Sequence, residues 1–294
     1  MAVEVIKSVK IMHQRSATLK RSGERIGFVP TMGSLHEGHL SLVDIARNRS
    51  EIVVMSVFVN PTQFAEGEDL EQYPRDFDRD RRFAQERDVD ILFYPSAEDV
   101  YQDNFRTEVQ VTGLSKLLCG TTRPEHFTGV TTVVAKLFNI VQPDEAYFGQ
   151  KDAQQAILIQ QMVKDLNFPI DIIVGPIIRE SDGLALSSRN VYLSDDERKQ
   201  ATSLSSALIK AKKTIESGER NSKFITRQIR SILSEQPDIK IDYIEIVDLE
   251  KLQPVEKIDG PVLVAIAAFV GTTRLIDNII IDKNESNTLK IENT

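Results

Sequence analysis

Apolar positions in the first 180 residues fall into short unbroken runs separated by stretches with helical spacing. Ile26 to Val29 is one such run, broken by Pro30 and Gly33, after which Leu40, Leu42, Val43 and Ile45 alternate with polar residues at helical intervals. The pattern predicts strand, tight loop, helix. Glu51 to Val59 is a nearly continuous apolar run, as expected of a strand buried on both faces of a parallel sheet. Residues 76–88 predict a charged helix, and Asp90 to Tyr94 a strand stopped by Pro95. Phe105 to Val111 alternates polar and apolar, which predicts a strand in a side hairpin. Gly129 to Val141 predicts a helix with Val133, Val134, Leu137, Phe138 and Val141 along its buried stripe. A strand at Ala146 to Phe148, a helix at Lys151 to Leu166 and a strand at Pro169 to Ile178 complete the series. Strands alternating with helices imply an α/β fold on a doubly wound parallel sheet, whose ligands bind at the carboxyl ends of the strands.

Beyond residue 178 the pattern changes. Ser194-Asp-Asp-Glu marks a helix start with a capping residue and an acidic first turn. Helices are expected over 195–217 and 222–235, then strands at Ile239 to Val247, Val262 to Phe269 and Asn278 to Ile281. Helices grouped ahead of antiparallel-looking strands predict a smaller C-terminal α+β domain. The chain therefore divides into a first domain at 1–178, a second at 179–282 and a polar tail at 283–294.

Composition narrows the function classes. With 294 residues there is room for a sizeable core, and a net charge of −8 argues against broad binding to nucleic acid or anionic membrane. Arg75, Arg79, Arg81 and Arg82 are interleaved with Asp76, Asp78 and Asp80, so the cluster is expected to be a solvated helix face. Cys119 is the single cysteine, which rules out an intrachain disulfide and suits a reducing, cytoplasmic setting. No apolar stretch precedes the first charges or reaches membrane-spanning length, so neither a secretory signal nor a membrane span is expected.

Four stretches carry candidate chemistry where strands end. In Pro30-Thr-Met-Gly-Ser-Leu-His-Glu-Gly-His39, the loop and first helical turn should leave unpaired backbone N–H groups beside the positive end of the helix dipole, a natural phosphate site. His36 and His39, three apart, can project from one face, and Gly38 leaves room for a nucleotide. Their spacing is not that of the helical zinc motif, and four histidines with one cysteine leave few structural zinc ligand sets. In Val59-Asn-Pro-Thr-Gln-Phe64, the amides of Asn60 and Gln63 suit a small acid bearing hydroxyls. Phe148-Gly-Gln-Lys-Asp-Ala-Gln-Gln155 repeats the strand-Gly-helix pattern, with Lys151 at a helix start where only a polyphosphate partner would suit its charge. Gln155 lies a turn further on. Ser187, Ser188 and Arg189 offer two hydroxyls and a fork-shaped cation for a terminal phosphate.

Taken in order with Tyr73-Pro-Arg-Asp76 and Arg123-Pro-Glu-His-Phe-Thr-Gly-Val130, these motifs resemble the pantoate–β-alanine ligase family from about residue 25 to about residue 280. The His-x-Gly-His element alone implies only the wider superfamily of nucleotidylyltransferases and class I aminoacyl-tRNA synthetases. The resemblance implies a Rossmann-like first domain, a smaller second domain acting as a lid, a homodimer, and use of ATP with Mg²⁺. It further implies that Met32, Gly33, Ser34, Leu35, His36, Glu37, Gly38 and His39 line the ATP site, with both histidines on the phosphates and His39 as proton donor. Gly149, Gln150, Lys151 and Asp152 would hold the nucleotide, Ile178 would touch it by backbone, and Leu186, Ser187, Ser188 and Arg189 would close over the triphosphate. Gln63 would contact pantoate and β-alanine, and Gln155 pantoate. The chain departs from the family's usual residues at Gln150, where Glu is frequent, and at Leu186, where Met is frequent.

The implied reaction adenylates pantoate and then transfers the pantoyl group to the amine of β-alanine. The first step brings two anions together, so His36, His39, Lys151, Arg189 and Mg²⁺ are expected to act as cationic donors. The alternatives are a nucleotidylyltransferase acting on a phosphorylated acceptor and an adenine-nucleotide sensor without turnover.

Overall fold

The computed structural model of the chain describes residues 2–282, so the expected polar tail at 283–294 lies outside the described residues. The first part runs β1 (Glu4–Ile6), α1 (Val9–Arg21), β2 (Ile26–Thr31), α2 (Glu37–Arg47), β3 (Ile52–Val57), α3 (Phe77–Glu86), β4 (Ile91–Phe93), α4 (Ala97–Val100), α5 (Cys119–Thr122), α6 (His126–Val141), β5 (Glu145–Gly149), α7 (Ala153–Asp165) and β6 (Asp171–Gly175). The second runs α8 (Asp195–Glu216), α9 (Ser222–Ser234), β7 (Ile239–Asp248), β8 (Val262–Val270) and β9 (Thr273–Ile281). The first six strands form one parallel sheet in the order β1-β4-β3-β2-β5-β6, and the last three an antiparallel sheet in the order β7-β8-β9.

The apolar runs are continuous because the parallel sheet is covered on both sides. Phe28, Val54 and Phe148 point into a core shared with α1, α6 and α7, whereas Val29, Met55 and Tyr147 point into one shared with α2 and α3. The small sheet is likewise buried twice. Ile244, Ile246, Val264 and Ile266 face α8 and α9, while Val247, Leu263 and Ala265 meet Leu118, Ala153 and Ile157 of the first part. This is why β8 is apolar throughout and does not alternate. At the start of α8, Ser194 and Glu197 cap one another's backbone N–H groups.

Several expectations need correction. β2 continues through Pro30 to Thr31, because β5 pairs with β2 no further than Phe28 and the missing N–H falls where the strand has one neighbour. Residues 105–111 form no strand. The segment is tied to α6 at Val109 instead: its N–H donates to the Thr132 hydroxyl, and the Thr131 hydroxyl donates to its carbonyl. Lys151 sits in a short 3-10 turn, Gln150–Asp152, ahead of α7 and not within it. α6 begins at His126, and β9 begins at Thr273, five residues before the expected start. Residues 4–21, which carried no expectation, supply the edge strand β1 and helix α1.

Candidate active site

The carboxyl ends of β2 and β5 diverge, since the last three residues of β2 stay with β3. Strand order reverses here, so the crevice is the switch point at which open α/β sheets bind ligands. The loop from Met32 to His36 crosses it. Gly33 has φ +82°, and a Cβ there would stand 2.8 Å from Asp80 Oδ2 and 2.9 Å from Val57 Cγ1.

Asp80 organises this loop. Its carboxylate accepts the N–H of Ser34 at 2.9 Å and of Leu35 at 2.8 Å, and the residue is 1% exposed. Burial raises its pKa while the two N–H bonds oppose the rise. Asp80 is thus a buried strut and no part of a solvated face. The signal was present in the sequence: Phe77, Asp80 and Ala84 fall on the core stripe of α3.

The same bonds narrow the expectation of free backbone donors. Gly33 N–H donates to the Thr31 hydroxyl, Gly38 N–H to His36 Nδ1, and His39 N–H to the His36 carbonyl. With Ser34 and Leu35 also engaged, five N–H groups of this loop and first turn are already bonded within the protein. Leu35 is fully buried, and Glu37 is exposed and paired with Arg87 at 2.6 Å, pointing its charge away.

His36 caps α2, and the bond from Gly38 at 3.1 Å makes Nδ1 an acceptor. The neutral ring therefore carries its proton on Nε2. His39 stacks on it with ring centroids 4.0 Å apart and planes at 29°. Burial and then the charge of Lys151 bring the His36 pKa down to about 4; burial, His36 and Lys151 lower that of His39. Both shifts favour the neutral ring near pH 7, in which each histidine is an N–H donor and not a cation. His39 Nδ1 is buried without a partner.

Across the crevice, Lys151 lies with its ammonium 3.8 Å from Asp152 Oδ2. Gln150 turns away from the crevice and donates through Nε2 to Asn278 Oδ1 of β9 at 3.2 Å. Gln63 is held in the 3-10 turn after β3, its Nε2 against Met32 Sδ at 2.9 Å. Asn60, 1% exposed, has no bonding capacity left for a ligand. Its Nδ2 donates to Gln63 Oε1 and the Gly129 carbonyl, both at 3.1 Å, and its Oδ1 accepts from Thr62 and from Tyr101 at 2.8 Å. Asn60 positions Gln63.

The third loop folds back over the first. Ile178 carbonyl accepts Leu186 N–H at 3.0 Å, Ser187 Oγ accepts Arg189 N–H at 3.3 Å, and Ser188 Oγ donates to the Ser34 carbonyl at 3.3 Å. Arg189 is bound at two points by Asp69, through Nε and Nη2 at 2.8 Å each. Burial opposes the charge on both, yet the pair lowers the Asp69 pKa and raises that of Arg189.

Two cavities result. One of about 240 Å³ is lined by His36, Gly38, His39, Gln63, Ile178 and Leu186; the other, of about 720 Å³, opens between the two sheets. They share Arg123, His126, Lys151, Asp152, Gln155, Ser187 and Arg189, which makes one continuous cleft. Arg123 and His126 were quoted in a sequence motif but carried no role. His126 Nδ1 lies 2.8 Å from the Gln63 carbonyl and must donate to it, while Arg123 pairs with Glu68. Burial, then Arg123, brings the His126 pKa down to about 4. Among the described residues no cluster of three His, Cys, Asp or Glu could hold a metal, and no helix is long and apolar enough to cross a membrane.

Residues 4–280 match the model of the family described as pantoate-beta-alanine ligase. The pantothenate synthetase of Caldicellulosiruptor saccharolyticus is 53% identical over 278 residues, 95% of this chain and 99% of that protein. That of Fervidobacterium nodosum is 55% identical over 280 residues, 95% of this chain and 100% of the relative. Among solved structures, pantothenate synthetase from Thermus thermophilus superposes with a TM-score of 0.90 at 46% identity, covering 94% of this chain and 99% of that one. Pantoate-beta-alanine ligase from Francisella tularensis, solved with beta-gamma ATP and beta-alanine, matches with a TM-score of 0.79 at 35% identity, covering 95% and 98%.

Proposed function

The chain belongs to the pantoate–β-alanine ligase family, and from that premise we propose how its cleft condenses pantoate with β-alanine, using ATP. The observation that carries this reading is the continuity of the cleft. The same cleft presents His36, His39, Lys151 and Arg189 to a polyphosphate and the amides of Gln63 and Gln155 to a hydroxy acid.

In the first step a carboxylate oxygen of pantoate bonds to the α-phosphorus of ATP, the bond to the β-phosphate oxygen breaks, and pyrophosphate leaves. In the second the unprotonated amine of β-alanine bonds to the acyl carbon, the acyl–phosphate bond breaks, and AMP leaves with the proton that the amine gives up. The Nε2–H of His36 and the ring of His39 donate to the phosphates as charge builds on the leaving pyrophosphate. Lys151 supplies a fixed positive charge. Arg189 exchanges the carboxylate of Asp69 for phosphate oxygens, which present the same two-point acceptor.

Met32 to His39, Gly149 to Asp152, Ile178 and Leu186 to Arg189 form the proposed nucleotide wall, with Glu37 and Gln150 turned outward in the ligand-free state. Mg²⁺ suits such a site, because it keeps waters and binds through substrate phosphates more readily than through an all-protein cage. When bound, it would neutralise charge between phosphate oxygens, with Asp152 the nearest half-exposed carboxylate to Lys151.

The pantoyl adenylate is a mixed anhydride that water destroys, so closure is chemically required. Residues 179–282 are the proposed lid over a first domain at 1–178, supported by the contacts Ser188–Ser34 and Tyr192–Gln72 between them. Family resemblance supports a homodimer, and the lone cysteine supports a cytoplasmic setting. The test is AMP formation from ATP with pantoate alone, β-alanine alone and both. Sustained AMP release is expected only with both. Turnover with a phosphorylated acceptor, or ATP binding without turnover, would overturn the reading.

A further inference from the structure

Asn278 belongs to the C-terminal sheet, is 4% exposed and has no part in the chemistry described above. Its Nδ2 donates to the carbonyl of Gln150 at 3.0 Å and to that of Lys151 at 2.9 Å. Its Oδ1 accepts from Gln150 Nε2 at 3.2 Å. Two carbonyls on one nitrogen leave no ambiguity about which end of the amide is which, since only NH₂ can serve both. The neighbouring Asp277, 3% exposed, accepts the Asn278 N–H at 2.8 Å and grips the Arg179 guanidinium at 2.6 and 2.9 Å. Arg179 in turn bridges to Ala185 at the root of the loop that ends in Ser187, Ser188 and Arg189. Two successive residues of β9 thus hold the roots of both phosphate-facing loops.

We propose that Asn278 is a positioning residue for Lys151, and that Asp277 and Asn278 together set the spacing of Lys151 and Arg189 across the cleft. Lysine has a flexible four-carbon stem, so its ammonium is placed only as well as its Cα–Cβ bond is aimed. The turn Gln150–Asp152 has no side-chain cap of its own. Bonds to two successive carbonyls fix the tilt of two successive peptide planes, and with them the direction in which Lys151 leaves the backbone. The part of the chain read as a lid thereby also builds the phosphate site. The inference rests on the adenylation reading given above.

The test is a double-mutant cycle on pantoate-dependent exchange of labelled pyrophosphate into ATP. It compares the wild type, Asn278→Ala, Lys151→Ala and the double variant. Misplacing Lys151 should slow exchange by about tenfold and raise the KM for ATP in Asn278→Ala. In the Lys151→Ala background the same change should cost less than about twofold, because the residue it acts through is gone. Equal losses in both backgrounds would reduce Asn278 to a general structural part and overturn the proposal. Asn278→Asp keeps volume and the acceptor for Gln150 but cannot donate to both carbonyls: the neutral acid has one O–H, and the carboxylate sets an acceptor against both. It should also slow exchange, and wild-type exchange by Asn278→Asp would also overturn the proposal. Absence of exchange in the wild type would refute the adenylation reading itself, a different result from additive losses.

Discussion

Arg189 and Asp69 face each other with two parallel bonds of 2.8 Å, and the carboxylate stands where a phosphate would satisfy the same guanidinium. The two ligands compete for one fork. Asp69→Asn keeps the shape and removes the charge, leaving Arg189 largely buried without its counter-ion. The ligand-free melting temperature should fall, and the upward shift on adding ATP should grow beyond that of the wild type. Thermal melts with and without ATP check this; a smaller shift would mean that Asp69 helps hold the nucleotide.

The buried histidines set an acid limit on stability. His36 and His126 have folded pKa values brought from 6.5 to about 4, and His39 is also lowered. The unfolded chain therefore binds more protons than the folded one below pH 6.5. The associated stability is fully present above pH 6.5 and is lost as pH falls towards about 4. The melting temperature should drop through that window. His36→Asn can still cap α2 by accepting the Gly38 N–H, and should flatten the slope. An unchanged slope would show that the His36 ring is already protonated in the folded protein.

The parallel sheet was legible because burial writes itself into the sequence as mostly apolar runs at 26–29, 51–59 and 169–178. The C-terminal sheet was legible in outline for the same reason. What escaped was decided by polar partners distant in sequence. Alternation at 105–111 mimics a strand, but the segment is tied at Val109 to two threonines of α6 that no local pattern reveals. Asp80 looked like one charge among many because its partners are backbone N–H groups 45 and 46 residues away. Strand-end position singled out the stretches of His36 and His39, Gln63, Lys151 and Arg189 one by one, and the family resemblance joined them in one site. That the histidines are neutral and Asn60 is fully engaged depends on burial and bonding, which sequence spacing does not carry.

Asp80→Ala should release the N–H groups of Ser34 and Leu35 into a buried setting, at about 1–3 kcal/mol for each group left unpaired. Adenylation should suffer more than stability alone explains, since Gly33 to His39 would lose the strut that aims it. Pyrophosphate exchange should fall by roughly 10-fold or more while the variant remains folded by circular dichroism. Near-normal exchange in a destabilised variant would confine Asp80 to folding.

Gln63 and Asn60 differ in what they can reach, and their variants should show it. Both line the cavity, but Asn60 commits both N–H groups to Gln63 and Gly129 and its oxygen to Thr62 and Tyr101. Gln63→Ala should raise the KM for pantoate strongly and leave ATP binding close to wild type, because in the proposed reading this amide meets the acid and not the adenine. Asn60→Ala should produce a milder rise in the same constant, through loss of the bond that orients Gln63. In the Gln63→Ala background, Asn60→Ala should then change the KM for pantoate little further, since residues acting through one another are not additive. Steady-state kinetics on the four proteins decides it. An undiminished Asn60→Ala effect in the double variant would mean that Asn60 contacts pantoate directly after the site rearranges, and comparable losses for pantoate and ATP in Gln63→Ala would mean that the cleft is filled in the opposite direction.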